Sequence, residues 1–313
     1  MFRKKHFLLL SMLFLLLVSG CSIQKESAGD KPFEIQLTVS RDFSSEILFT
    51  KGIQTQPGET VLDVLEKNLE VETSSGGFID AIKGLKSAVE GETGKDWFFY
   101  INGIAANCSA KAYHLKPGDK VVWDYHPWNG NSFIPAIIGS YPEPFINGFE
   151  GKTKGTRIFY SEDSRDEALK IKQSLAEMNA KNVVEVQLPQ NFEILSDYPS
   201  IIIGEYENLI KNKNIAKLLS DGNQRGVFAR FDKKRTEILD YSGLVKKAGS
   251  PSIGVIFATA SSLGDTAPVW IVTSLEHKGI EDITNLICSN PESIKNYYGV
   301  AYNEGKIERL PCR

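Results

Sequence analysis

Residues 96–103 limit how this chain can fold more than any other stretch. Five aromatic or aliphatic residues run together there and end at an Asn-Gly dipeptide, which is typical of a tight turn. A strand with one face in water alternates apolar and polar residues, and this one does not. On it Trp97, Phe99 and Ile101 share one face, and Phe98 and Tyr100 share the other. We therefore expect a helix of the same domain on one face, and a second strand layer, another domain or a ligand on the other.

The N-terminal residues are typical of an export signal. Three basic residues at positions 3–5 precede an apolar run at 7–18 that is short for a membrane span. Val18-Ser19-Gly20-Cys21 resembles the lipobox of bacterial lipoproteins, in which the cysteine receives acyl chains such as palmitate and becomes the mature N-terminus. We expect residues 1–21 to be this signal peptide and 22–30 a polar tether, with the protein anchored extracytoplasmically to the cell membrane by lipidated Cys21. The alternative is a plain secretory peptide.

Length and composition indicate an ordinary globular protein of two domains. The chain has 313 residues, of which 42% are hydrophobic and 24% charged. Its net charge of −3 gives no reason to expect a nucleic-acid partner. Three cysteines remain after Cys21. Cys288 and Cys312 could pair, which would leave Cys108 over, and no paired spacing suggests structural zinc.

Residues 31–130 predict a small α+β domain. Strands are expected at 33–39, 47–53, 78–82, 97–101 and 121–125. A helix with an apolar stripe over 61–69 follows Thr60, with Asp63 at the capping-box position. The order strand, strand, helix, strand, strand, strand resembles a β-grasp, with one helix across one face and the opposite face free.

Several motifs in this domain together resemble the transcobalamin C-terminal-like domain, the DUF4430 family. They are Ser74-Ser75-Gly76-Gly77-Phe78-Ile79, Ile82, Gly84, residues 97–103, Gly118-Asp119 and residues 121–125. In transcobalamin and intrinsic factor this β-domain closes over cobalamin, and an α-helical barrel holds the other side of the vitamin. No such barrel precedes the domain here.

The resemblance implies ligand contacts from the Ser-Ser-Gly loop with its following aromatic, from the aromatic that opens the central strand, and from the loop after that strand. Trp128 is a further candidate. The predicted ligand-binding residues are Ser74, Ser75, Gly76, Phe78, Trp97, Asn107, Cys108, Ser109 and Trp128. The alternative for the tryptophans is that they are core, because aromatics at strand spacing usually are.

His126 is the one candidate metal ligand. It follows the last predicted strand, where its imidazole could ligate cobalt from an axial face. A lone histidine beside a proline more often ends a strand. No histidine lies in an HExxH pattern, and no nucleophile elbow, Walker loop or GxGxxG motif is present, so we expect no enzymatic activity and no required cofactor.

The rest of the chain predicts a linker and a second domain. Residues 131–155 are rich in Pro, Gly and aromatics, and their apolar residues predict packing against a domain. Residues 156–313 alternate strands and helices, which indicates a three-layer α/β domain with a mainly parallel sheet. The loop 260–265 follows a strand and could bind a polar ligand at the carboxyl edge, although an ordinary surface loop is the alternative.

Taken together, the sequence predicts a surface-anchored protein that binds cobalamin or a related corrinoid and delivers it to a vitamin transporter in the membrane. The alternative is a structural or adhesive surface module that binds protein or cell-wall polymer.

Overall fold

In the part of the chain that the structure describes, two larger β-sheets and two small ones form a mixed α+β architecture. The computed structural model describes residues 31–91, 93–129, 133–220, 222–262 and 264–313. The predicted signal peptide, Cys21 and the tether lie outside the described residues. No helix in the described ranges is both long enough and apolar enough to cross a bilayer.

The first sheet has the strand order β2-β1-β9-β7-β6, with β8 pairing β7. Strand β1 runs antiparallel to β2 and parallel to β9, and β7 runs antiparallel to β9. Strands β3, β4 and β5 form a separate small sheet. The elements of this region are β1 (Phe33–Arg41), β2 (Glu46–Thr55), α1 (Val61–Asn68), β3 (Val71–Thr73), β4 (Ile79–Ile82), β5 (Leu85–Lys86), β6 (Ala88–Glu90), β7 (Thr93–Ile101), β8 (Ile104–Ala105) and β9 (Lys120–Asn129).

Helix α1 begins where the sequence predicts. The Thr60 hydroxyl accepts the Asp63 amide at 3.1 Å, and the Asp63 carboxylate accepts the Thr60 amide at 2.8 Å, which completes a capping box. Val61 and Leu65 are among the buried residues that face the sheet. The helix therefore covers one face of the first sheet.

Both faces of β7 are covered, as the absence of alternation predicts. Trp97 and Ile101 belong to the core beneath α1. Tyr100, on the other face, packs with Ile137 and with Tyr298 near the C-terminus. The expectation that the face opposite the helix stays free is wrong, because the second half of the chain covers it.

The second large sheet has the order β11-β10-β12-β17-β16-β18-β19. Strands β11, β10, β12 and β17 are parallel, and the other three pair antiparallel, so the sheet is mixed rather than mainly parallel. Helices α2 and α5 pack on one face, and α3, α4 and the small sheet β13-β14-β15 on the other. The elements are β10 (Thr156–Tyr160), α2 (Arg165–Glu177), β11 (Val183–Gln187), β12 (Ser200–Glu205), α3 (Tyr206–Leu209), α4 (Lys213–Ser220), β13 (Ala229–Asp232), β14 (Arg235–Leu239), β15 (Val245–Gly249), β16 (Gly254–Thr259), β17 (Val269–Ser274), α5 (His277–Ser289), β18 (Gly299–Asn303) and β19 (Lys306–Leu310).

The position of the loop 260–265 corrects one expectation. It follows β16, which runs antiparallel to β17. Its end of the sheet is therefore the amino edge of the parallel strands, where α/β folds do not usually bind ligands. Gly264 of this loop instead lines a cleft at the first sheet.

The segment 133–155 is packed, as its apolar residues predict. Ile137, Ile138 and Phe145 are fully buried, and Phe149 joins the core beneath α1. Residues 32–313 form one compact unit, and the boundaries at 130, 155 and 156 stay a prediction.

Cys288 and Cys312 are free thiols, as is Cys108. Cys288 packs with the core on the α2 and α5 face, whereas Cys312 belongs to the core on the opposite face. The sheet lies between them, which rules out the pairing considered from the sequence.

One buried carboxylate joins the two halves of the chain. Asp124 Oδ1 accepts from the Ser40 hydroxyl at 2.6 Å and the Ser44 amide at 2.9 Å. Its Oδ2 accepts from the Phe43 amide and the Tyr298 hydroxyl, each at 3.0 Å, and contacts His126 Nδ1 at 2.9 Å. Burial alone would raise the pKa of Asp124, but the hydrogen bonds from His126 and Ser40 outweigh it and hold the pKa below its ordinary value.

Asp124→Asn is expected to destabilise the protein by about 3 kcal/mol, because an amide NH₂ would then face these donors and the charge would be lost. Urea unfolding at pH 7 measures the difference. Asp163→Asn, an exposed carboxyl before α2, is the matched control and should change stability by less than about 0.5 kcal/mol. Equal stabilities for the two variants would contradict the assigned role.

The contribution of Asp124 should also depend on pH. Because its folded pKa is lowered, the stabilisation is complete above the ordinary pKa of an aspartate and is lost as the pH falls through the folded value. The gap in unfolding free energy between wild type and Asp124→Asn should therefore shrink on acidification from pH 5. A gap that widens there would contradict the direction of the shift.

Candidate functional site

A cleft of about 880 Å³ opens beside the edge of β7. Strand β6 pairs Thr93, Gly94 and Lys95, and β8 pairs Tyr100 and Ile101. Between these two strands, positions 96–99 pair with no other strand of the described chain on that edge, although the Ala106 amide donates to the Phe99 carbonyl at 3.0 Å and the Trp97 amide donates to the Asp96 carboxylate at 2.7 Å. The cleft occupies this gap, and its volume is in the range of small-molecule sites.

Three segments within residues 31–129 form most of the cleft. Residues 77–80 form one wall, residues 96–100 of β7 the floor, and residues 105–110 the opposite wall. Phe133, Ile134 and Gly264 reach it from later in the chain. The site therefore combines an aromatic floor with loops on both sides.

The glycine-rich bend after β3 presents an aromatic side chain to the cleft. The Ser74 amide donates to the Phe78 carbonyl at 3.0 Å, and the Gly77 amide donates to the Ser74 carbonyl at 3.2 Å. Gly76 and Gly77 have φ of +88° and +82°, a backbone region that favours glycine. The closed turn holds Phe78 with 70% of its surface exposed. Among the described residues that line the cleft, Gly77 and Phe78 are present, whereas Ser74, Ser75 and Gly76 are not.

Trp97 lines the cleft but is largely a structural residue. It lies within β7 rather than at its start, because β7 begins at Thr93 to pair with β6. Its side chain is 7% exposed, its Nε1 donates to the Leu85 carbonyl at 3.0 Å, and its ring packs against Tyr125. It therefore offers little surface to a ligand.

The loop after β8 forms the wall predicted from the resemblance. Asn107, Cys108 and Ser109 all line the cleft. The Asn107 Nδ2 donates to the Gly264 carbonyl at 3.2 Å and so ties this wall to the second half of the chain. Burial, and then the charge of Glu150, raise the pKa of the Cys108 thiol, so it stays protonated at neutral pH.

His126 and Trp128 do not line this cleft. Both are inside β9 and border a neighbouring cavity of about 30 Å³, which shares Phe98, Phe133 and Ile134 with the cleft. The His126 ring is buried and stacks between Phe98 and Phe43, with centroids at 4.4 and 4.6 Å, while Nδ1 contacts Asp124. No group of three or more His, Cys, Asp or Glu side chains in the described part of the chain could hold a metal ion.

Most residues that line the cleft were not among the sequence candidates, and Phe99, Asp96, Asp80 and Ser87 are examples. Phe99 belongs to the aromatic run and Asp96 flanks it, so the run itself could have indicated them. Asp80 and Ser87 face the cleft only because of how β4 and β5 fold, and no local pattern marks them.

Comparison with known families supports the resemblance for part of the chain. Residues 58–127 match the family described as "Domain of unknown function (DUF4430)". The predicted recognition is thereby confirmed. The match covers α1, the bend, β7 and most of β9, which hold most of the cleft. No curated protein matches the chain.

Two solved structures are similar over about a third of this chain. One is haptocorrin in complex with Cbi, at 20% identity and a TM-score of 0.26, covering 31% of this chain and 26% of that one. The other, described as a "putative metal binding protein" from Ruminococcus gnavus ATCC 29149, has 19% identity and a TM-score of 0.23, covering 31% of this chain and 98% of that one. The aligned region thus spans about a quarter of the haptocorrin chain.

Gly77→Ala is expected to destabilise the protein more than Gly84→Ala. Both glycines have positive φ, but a Cβ at Gly77 would lie 3.0 Å from Lys111 Cβ, whereas a Cβ at Gly84 meets nothing within 4 Å. We expect about 2 kcal/mol for Gly77 and about 1 kcal/mol for Gly84, measured by urea unfolding. The opposite order would mean that the bend is not held as described.

Proposed function

We propose that this protein binds cobalamin or a related corrinoid in the cleft beside β7, without chemistry, and delivers it to a membrane transporter. A lipid on Cys21 would hold it at the extracytoplasmic face of the cell membrane. The first region, with its β2-β1-β9-β7 order and α1 across one face, would be a β-grasp-like binding domain, and the second a three-layer α/β domain.

The observation that carries this proposal is the aromatic-lined cleft at the edge of β7, in the gap between β6 and β8. A flat macrocycle laid on the Phe78 ring would bury about 100 Å² of apolar area, or roughly 2–3 kcal/mol. Further contact with Phe99 and hydrogen bonds from Asn107 and Ser109 would bring the total towards the roughly 8 kcal/mol of a micromolar complex.

The sequence resemblance directs the proposal to corrinoids rather than to flat ligands in general. The motifs that resemble transcobalamin C-terminal-like domains fall on the bend, on β7 and on β9, which surround the cleft. Where transcobalamin has a helical barrel, this cleft has only a short rim, which is formed by Phe133, Ile134 and Gly264. The remainder of the second region would then be available to dock the transporter.

The proposal assigns no cobalt ligation to His126. Its Nδ1 contacts Asp124, and both faces of its ring are stacked on phenylalanines. A corrinoid in the cleft would be held by ring contacts and by its peripheral side chains.

Calorimetry tests the binding. The chain from residue 21 onwards, with Cys21→Ser, is titrated with cyanocobalamin and with cobinamide. Heat with a dissociation constant near micromolar or lower is expected for at least one of them. Absence of both heat and spectral change up to millimolar ligand would remove the proposal.

Phe78→Ala should weaken that binding about tenfold or more, corresponding to roughly 1.4 kcal/mol, because it removes the exposed aromatic wall. Stability should not change, since the side chain is 70% exposed. Leu244→Ala is the matched control, because Leu244 is 65% exposed in the turn between β14 and β15 and does not line the cleft. Unchanged affinity in Phe78→Ala would place the ligand elsewhere.

The open edge of β7 favours one second candidate. An extended peptide could lie along residues 96–98 in the cleft, which fits a structural or adhesive surface module. Purification from a vitamin-containing culture separates the two candidates. A corrinoid binder carries the absorption bands of its ligand, and a peptide binder does not.

A further inference from the structure

We infer that the cleft selects corrinoids whose peripheral acids are amidated and rejects those that carry free carboxylates. This inference rests on the proposed function and names the ligand class within it. The inference follows from the charged side chains that line the cleft.

The charged side chains that line the cleft, among the residues the structure describes, are two carboxylates. Asp80 and Asp96 stand at the end of the cleft next to the bend, on either side of Ser87. No lysine, arginine or histidine is present among the described lining residues. An anionic ligand would therefore meet charges of its own sign and no described cation in the cleft wall.

Asp96 is held in place with one oxygen available. Its Oδ1 accepts from the Ser87 hydroxyl at 2.6 Å and from the Trp97 amide at 2.7 Å. Its Oδ2 has no hydrogen-bond partner in the described part of the chain. The Ser87 amide donates to the Asp80 carbonyl at 2.8 Å, which ties the two acidic positions together. Asp96 is therefore a fixed lining residue with a carboxylate oxygen still able to accept from an N–H donor.

The nearby cations do not line this end of the cleft. Lys111 is exposed beside the bend, with its Cβ 3.0 Å from the position that a Cβ on Gly77 would take, but it is not among the lining residues. Lys86, which lies near Asp80, forms an ion pair with Glu72 at 2.9 Å, and its side chain does not line the cleft. Lys95 pairs with Asp42 at 3.1 Å. Glu150 lies close to Cys108 on the opposite wall, but it pairs with Lys152 at 2.6 Å and adds no uncompensated charge.

These groups discriminate between amides and acids by simple electrostatics. The peripheral side chains of cobalamin end in primary amides, whose N–H groups can donate to Asp96 and Asp80. Hydrolysis of one amide replaces a donor with a carboxylate, which loses the hydrogen bond and adds like-charge repulsion. Tetrapyrroles with free propionates, such as haemin, are disfavoured for the same reason.

The test titrates the Cys21→Ser form with cyanocobalamin and, one at a time, with its separated monocarboxylic acids at pH 7.5 and low salt. At least one acid should bind about tenfold more weakly than the amide, because one peripheral group must face the acidic end. Added salt should narrow the difference.

Three variants test whether Asp80 and Asp96 cause the weaker binding of the acids. Asp80→Asn, at an exposed position, and the double variant Asp80→Asn/Asp96→Asn should reduce the discrimination, the double variant to within about threefold. Asp163→Asn removes the same charge outside the cleft and should leave the discrimination unchanged.

The outcomes separate this inference from the function on which it rests. If cyanocobalamin and every monoacid bind equally tightly, the inference is overturned and corrinoid binding stands. If the discrimination persists in the folded Asn variants, it arises elsewhere and the inference is also overturned. If none of the corrinoids binds, both fall together.

Discussion

The arrangement of the two large sheets depends on the buried carboxylate of Asp124. Removing such a charge from water is costly, and here donors from the end of β1, the turn after it, β9 and Tyr298 offset the cost. Because Tyr298 comes from near the C-terminus, the same carboxylate fixes the second half of the chain against the outer face of β7 and β9. The face that the helix leaves uncovered is thereby closed, and only the edge of β7 remains for a ligand.

Much of the fold follows from local sequence patterns, and where a prediction from the sequence fails, the cause is local as well. The unbroken aromatic run of β7 predicts two covered faces, but nothing near it in the sequence indicates that Tyr298 provides the second cover. No periodic pattern predicts strands within residues 83–95, because short edge strands rich in Gly, Lys and Ser lack such a signal. The residue pattern over 208–219 predicts a single helix, but the structure interrupts it at Asn212. The Asn212 side chain accepts the Asn214 and Ile215 amides, and this capping interaction begins α4.

The sequence predicts the parts of the site that lie on a recognisable motif. It does not predict the parts whose position depends on how far β7 and β9 pair. The bend with Phe78 and the loop 107–109 lie at the cleft as the resemblance implies. His126 and Trp128 do not, because β7 begins four residues before Trp97 and draws β9 on to Asn129. Pairing with the longer β7 makes His126 a mid-strand residue that faces Tyr298, whereas a shorter hairpin would have left it at a strand end near the loops.

An edge site has a consequence for how a ligand would be exchanged. A macrocycle lying on the floor of β7 between two loops is enclosed by this chain on one side, since only Phe133, Ile134 and Gly264 reach over from the second half. A cage formed by two domains must open before it releases its contents, and a one-sided site need not. Under the proposed function, the exposed side of the ligand can contact a transporter before the contacts with Phe78 and the 107–109 loop are broken. Delivery would then require competition for the ligand rather than separation of two domains, which the Asp124 network would in any case resist.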